Sequence, residues 1–374
     1  MSGLVDTAAS AVNQIGKYFS VASFVPALLF VLWLMALAGG AEAIGLRTPF
    51  FGPELEGAPA TPTLEQVATA MTAPLGSWSP EQVAGVLVAT VVLSLGIHPL
   101  LFATTQLLEG YWGTGPVGLH LALWRAAGHR RRRDHLAAAG KEARATARDF
   151  AVRLLLERNG ADAVTELKSR GLLSDSVGSV LASPDGLPVF AVHLKGESLS
   201  RAAAVYPHQG HRVMPTRLGN ALRRIEDSAG RPYGLSVVSF APHLTLTAAP
   251  ERRAYIADSR QGMDVAIRLT FFALLAAVIT TMWWATAGWY VVVALVPYGF
   301  AYVAYRGAVA AAEEWGAAIV TAVDLDRFAM YEAMHVDVPD SATERVINAN
   351  LAKARSLGYH LDAQYRTPEP RERG

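Results

Sequence analysis

Apolar residues are not spread evenly along this chain but gather into four long runs. Val21 to Ala41 carries no charge. Val83 to Leu108 carries none either, although His98 lies inside it. Val265 to Ala287 has Arg268 near its start, and Trp289 to Tyr305 follows almost at once. A helix needs about 20 mostly apolar residues to cross a bilayer. The pattern therefore predicts four transmembrane helices. The last two form a tight hairpin with Trp283, Trp284, Trp289 and Tyr290 crowded at its tip. Aromatic rings favour the membrane–water interface, so the tip is expected at a membrane surface. Only Lys17 precedes the first run as a basic residue, and the run is long, so an uncleaved anchor is expected rather than a signal peptide.

Between the runs the pattern changes period. Residues 1–20 read as an amphipathic helix entering the first span. Residues 42–82, rich in Pro, Gly, Thr and Ala, read as an extracytoplasmic loop with room for a short helix. Residues 109–264 are long enough for a soluble domain with its own core. Helical periodicity runs from His135 to Asn159, ended by Gly160, and a second helix follows over 161–169. Thr216 is placed to cap a helix over 217–228 with an apolar stripe at Leu218, Leu222 and Ile225. Leu187 to Leu194, Leu235 to Phe240 and Leu244 to Leu246 read as strands. The expected fold is thus a membrane protein, mainly α, with a mixed, helix-dominated domain between the second and third spans. The fourth span continues into a helical tail over 306–374. A continuous helix from Trp289 to Met334 would be about 70 Å long. Ser341 and Glu344 form a capping-box pattern opening a last helix.

Composition agrees with a membrane chain: 52% of residues are hydrophobic and 17% charged, against about 25% charged in ordinary soluble domains. The absence of cysteine excludes disulfides, thiolate catalysis and Cys-based metal centres. A net charge of +1 hides an uneven distribution. Residues 40–82 hold one basic and five acidic residues, whereas residues 109–264 hold 22 basic and 15 acidic ones. The basic segment belongs on the cytoplasmic side. Four spans then place both termini there too, in a bacterial cytoplasmic membrane.

The candidate chemistry is sparse. Arg130, Arg131, Arg132 and Arg133 form a run shortly after the second span, with Arg125, His129 and His135 nearby. Such a run either marks topology or attracts anionic lipids or an acidic partner. It lacks the aromatic interleaving of a nucleic-acid module, so nucleic acid is set aside. Thr216 and Arg217, at a helix start, form a possible anion pocket; a salt-bridged helix surface is the plainer reading. His98 and Pro99 inside the second span, with Pro297 in the fourth, mark helix kinks or a pathway. The Gly113-Thr-Gly115-Pro-Val-Gly118 pattern has the spacing of a dinucleotide loop but follows a span instead of a strand. His208 and His211 have no evident third metal ligand. Asp324 and Asp326 diverge by about 200° on a helix and cannot face one ion. No catalytic residue, cofactor-binding residue or metal ligand is assigned.

The stretch Arg212-Val-Met-Pro-Thr-Arg-Leu-Gly-Asn220, followed by Glu226-Asp227 and Tyr233-Gly234, resembles segments of actinobacterial integral membrane proteins of unknown function. Ala322 to Phe328, with His335 and Pro339, is similar to their tails. The resemblance implies a membrane protein of a high-GC bacterium and implies no activity.

These readings together point to an inner-membrane scaffold or effector that acts through protein contacts of its cytoplasmic domain, as a homo-oligomer. A channel or transporter with a pathway near His98 is the first alternative. A membrane-bound enzyme on a lipid or nucleotide is the second, and it requires Arg217 to converge with His208 or His211.

Overall fold

The computed structural model of the protein describes residues 21–46, 62–76, 78–97, 99–337, 340 and 342–357. The N-terminal segment 1–20, His98, Pro339, Ser341 and the tail beyond 357 lie outside the described residues. In chain order the helices are α1 (Val21–Ala43), α2 (Leu64–Thr72), α3 (Pro80–Ile97), α4 (Leu101–Glu109), α5 (Pro116–Ser169) and α6 (Leu173–Leu181). Then come α7 (Leu187–Ala204), α8 (Arg217–Ser228), α9 (Val237–Thr247), α10 (Pro250–Trp283), α11 (Leu295–Ala333) and α12 (Glu344–Leu357). Four of these stretches are long and apolar enough to cross a membrane: residues 23–43, 80–97, 250–283 and 288–333.

The described residues hold no strand, which corrects the mixed α+β expectation. Leu187 to Leu194 opens α7, where Pro188 sits in the first turn and needs no intrahelical partner for its missing N–H. Leu235 to Leu246 gives α9 instead of two strands. Its buried residues Val237, Phe240 and Leu244 recur at helical spacing, although Pro242 lies between them. A short apolar run does not distinguish strand from helix by itself, and among the described residues no partner strand completes a ladder.

The chain divides into two compact units, residues 1–108 with 229–374, and Glu109–Ser228. In the first, α10 and α11 are each other's main neighbours, and α1 packs on α2, α3 and α10. Ala273 and Ala277 on α10 and Ala304, Ala308 and Ala312 on α11 are all buried, so these small faces serve packing within one chain. Phe30, Phe272, Ala276 and Ile97 form a core layer with Trp33 and Leu93. The aromatic tip is only partly at a surface. Trp289 is exposed, but Trp284 is fully buried and packs with Leu37, Ala41, Val67 and Tyr290, under cover of α2.

Prolines shape the spans differently from expectation. Around Pro99 the second span does not merely kink; its helix ends at Ile97 and restarts at Leu101. Pro297 makes no mid-helix kink. Gly288–Ala294 is a 3-10 segment, so α11 starts at Leu295 and Pro297 falls in its first turn. The 46-residue continuous α-helix is therefore shortened to the 39 residues of α11.

At the far end of this unit, α12 is clasped to α11. Asp340 Oδ1 accepts from the amides of Ala342 and Thr343 at 3.1 and 2.8 Å and starts the helix. Glu344 turns inward to Arg327 Nε at 3.0 Å and to the Tyr331 hydroxyl at 3.1 Å, while Ser341, its expected capping-box partner, lies outside the described residues. Asn348 completes the buried group by donating to the Tyr233 carbonyl at 2.9 Å.

The second unit has a core of small and medium side chains: Ala147, Ala151, Leu155, Val164, Val177, Val180 and Leu181, with Val189 and Phe190 packed on them. The helix α5 breaks at Gly160, whose φ of 81° ends the first stretch as the sequence pattern predicts. The principal pair is α5 with α7. A Cβ on Gly140 would lie 2.7 Å from Ser200 Oγ, and one on Gly196 would lie 3.0 Å from the Arg144 amide. Glycine at both positions is what lets the two backbones cross so closely.

Candidate anion-binding site

The site is built on the first half of α5 and the start of α8, both within Glu109–Ser228. Thr216 caps α8: its Oγ1 accepts from the Gly219 amide at 3.0 Å. The same hydroxyl donates to the Glu109 carbonyl at 2.7 Å. Asn220, almost fully buried, accepts from the Met214 amide and donates to the Met214 and Thr216 carbonyls. Gly219 lies against the Glu109 carbonyl so closely that any Cβ would overlap it. The Pro215-Thr-Arg-Leu-Gly-Asn220 segment is thus a joint. It ties the start of α8 to the point where the chain leaves its second apolar run.

That joint aims Arg217, the first residue of α8, at one face of α5. Trp124, Arg125, Gly128, His129, Arg131, Arg132 and Arg217 line a common cavity of about 310 Å³. On α5 these positions follow the spacing of neighbours on one helix face. Arg125, Arg131, Arg132 and Arg217 take part in no ion pair among the described residues. The acidic side chains of α8 are already engaged: Glu226 and Asp227 hold Arg212, and Glu226 also holds Arg223 at 2.7 Å. Arg223 in turn bonds the Tyr111 hydroxyl.

His129 reports the resulting field. Burial lowers its pKa below the usual histidine value, and the charges of Arg125, Arg217 and Arg132 lower it further. Its Nδ1 lies 3.2 Å from the Tyr206 hydroxyl. The pocket therefore combines four guanidinium groups with an imidazole whose protonation they oppose. Guanidinium forks suit oxyanions.

The arginine run does not act as one block. Arg131 and Arg132 line the pocket. Arg133 turns to Asp134, donating at 2.9 Å through Nε, and packs over the backbone at Gly210. Arg130 Nε and Arg133 Nη1 are buried without a hydrogen-bond partner among the described residues. Arg217 does meet part of the run, although it lies far from it in sequence, whereas Thr216 is spent on the Gly219 amide and the Glu109 carbonyl. Trp124, Arg125 and His129 were not assigned to a site from sequence, yet the spacing 125, 129, 132 was a readable signal. His208 and His211 are exposed and do not line this pocket.

The other singled-out positions stay apart. Pro297 lines an apolar cleft of about 240 Å³ with Pro26, Phe30, Trp33, Phe272 and Phe300. Pro99 sits in the turn between α3 and α4. Asp326 is held by Arg252, whereas Asp324 interacts with Tyr233, so the two carboxylates do diverge. The Gly113–Gly118 pattern runs into α5, which begins at Pro116, and no strand comes before it among the described residues. No protein-family model, curated protein or solved structure matches this chain.

Proposed function

We propose that this chain is a scaffold or effector of a bacterial cytoplasmic membrane, with unit Glu109–Ser228 and both termini on the cytoplasmic side. It acts through the contacts of that unit, as a homo-oligomer, and the basic pocket is where the unit takes an anionic group. One observation carries the reading: arginines from two separate helices surround one cavity and form no ion pair there among the described residues. Like charges held together repel, and a bound oxyanion relieves that cost. Among the described residues, which leave out His98, the channel reading rests on the apolar cleft at Pro297, and neither His208 nor His211 joins Arg217 at the pocket as the enzyme reading requires.

The test uses the full chain in nanodiscs of neutral phosphatidylcholine, with sulfate replacing chloride at constant ionic strength. Sulfate is expected to raise the melting temperature saturably. An Arg132→Gln/Arg217→Gln variant is expected to lose that rise. No rise, or a rise that the variant keeps, would overturn the proposal.

A further inference from the structure

The pocket does not stand alone on α5. The first turns of that helix, from Pro116 to Trp124, carry no charged residue. They are nevertheless exposed: Val117 to 79%, Leu123 to 54% and Trp124 to 61%, with Leu119 and Leu121 also open. A soluble surface rarely keeps so dense an apolar patch uncovered. Pro116, Val117, His120, Leu121 and Trp124 form a shallow shelf. Trp124 lines both this shelf and the basic pocket, so the two are continuous.

The place of this surface in the chain says what covers it. Pro116 comes shortly after Leu108, the last residue of the second apolar run. The Thr216 hydroxyl is bonded to the carbonyl of Glu109, the very next residue, and Arg217 is its neighbour. Shelf and pocket are therefore tethered, along the chain, just after the end of the second apolar run, which is where a chain leaving a bilayer would need a surface of this kind. A tryptophan between an apolar region and a charged one is the usual occupant of that interface.

We infer that the shelf and the pocket together bind one anionic phospholipid, its headgroup phosphate among Arg125, Arg131, Arg132 and Arg217 and its acyl chains over Val117, Leu121 and Trp124. This rests on the anion-binding reading above and names the anion's source. A lipid held here would seat the unit Glu109–Ser228 on anionic membrane, through a charge match and an apolar match at once. A soluble phosphate would use the arginines and leave the shelf bare.

The experiment uses the full chain in dodecyl maltoside and native mass spectrometry. Phosphatidylglycerol and phosphatidylcholine of equal acyl length are titrated separately, and inorganic phosphate is titrated as the soluble anion. Phosphatidylglycerol is expected to bind at least about tenfold tighter than phosphatidylcholine. Arg125→Gln/Arg132→Gln/Arg217→Gln should weaken it by about 100-fold. Val117→Ser/Leu121→Ser, at exposed positions, should weaken phosphatidylglycerol while leaving the phosphate affinity unchanged. Equal binding of the two lipids would overturn the inference, as would a shelf variant with unchanged phosphatidylglycerol affinity. Inorganic phosphate binding as tightly as the lipid would overturn it too, yet would leave the anion pocket standing. Loss of every anion response would remove both.

Discussion

Replacing Glu344 with alanine tests whether the buried clasp holds α12 in place. The carboxylate accepts from Arg327 Nε at 3.0 Å, and the two side chains are only 14% and 9% exposed. Removing one partner of a buried pair costs about 3–5 kcal/mol, because the other charge remains desolvated. Arg327 keeps part of its stabilisation. Its guanidinium lies 3.9 Å from the Tyr233 ring centre and 4.2 Å from that of Phe328. Such contacts are worth about 1–2 kcal/mol when partly desolvated. The Asp324 carbonyl also still accepts from it. The net loss is thus about 2–3 kcal/mol, concentrated on α12, whose contacts outside this group are few. At about 1.4 kcal/mol per tenfold, amides of α12 should exchange about 30- to 100-fold faster with solvent. Hydrogen exchange with mass spectrometry on the detergent-solubilised chain reads this directly. An Arg327→Met/Glu344→Leu variant removes both charges and should recover most of the protection. Wild-type exchange in the single variant would refute the reasoning, and so would a double variant as fast as the single one.

Further outcomes concern the basic unit. Gly219→Ala puts a methyl group into the Glu109 carbonyl and 2.9 Å from Met214 Cβ. Alanine gains about 1 kcal/mol in helix propensity, but the forced shift costs about 1–3 kcal/mol and should lower the melting temperature. A raised melting temperature would show that the close approach is absent. For His129, the folded pKa lies below the unfolded value near 6.5. Above that value the imidazole is neutral in both states and the site keeps its full stability. As pH falls below it, the unfolded chain takes up a proton that the arginines keep out of the folded pocket, so stability declines. His129→Gln should flatten the acid limb of a thermal stability–pH curve below pH 6.5, and an unchanged limb would contradict the assigned environment. Sulfate should bind more tightly as the pH falls through this range, because an anion favours the protonated ring.

The membrane character was legible because it rests on local quantities. An apolar run long enough to span, broken by Pro99 and followed by charge, needs no knowledge of the fold. The Gly160 break and the Thr216 cap were legible for the same reason, since φ preference and capping act within a few residues. Strand readings at Leu187 and Leu235 failed because a short apolar run fits either period, and only partners decide between them. The contact of Glu344 with a buried arginine on another helix was not legible, because no local pattern in the tail announces it.

The basic pocket shows the division most clearly. Sequence alone determined that arginines would crowd the stretch after the second span and that a capped helix would begin near Thr216. The spacing of Arg125, His129 and Arg132 becomes one face only because α5 begins at Pro116, well ahead of the helix start expected at His135. Sequence did not reveal that Arg217 joins them, since more than 80 residues separate Arg217 from Arg132. Tertiary structure decided that through the joint at Glu109, Gly219 and Asn220. The acids on α8 were also drawn to Arg212 and Arg223, so neither of them pairs with the pocket's arginines. The physical reason is range: propensity, capping and hydropathy are sums over neighbours in the chain, whereas a pocket's charge depends on which side chains meet in space.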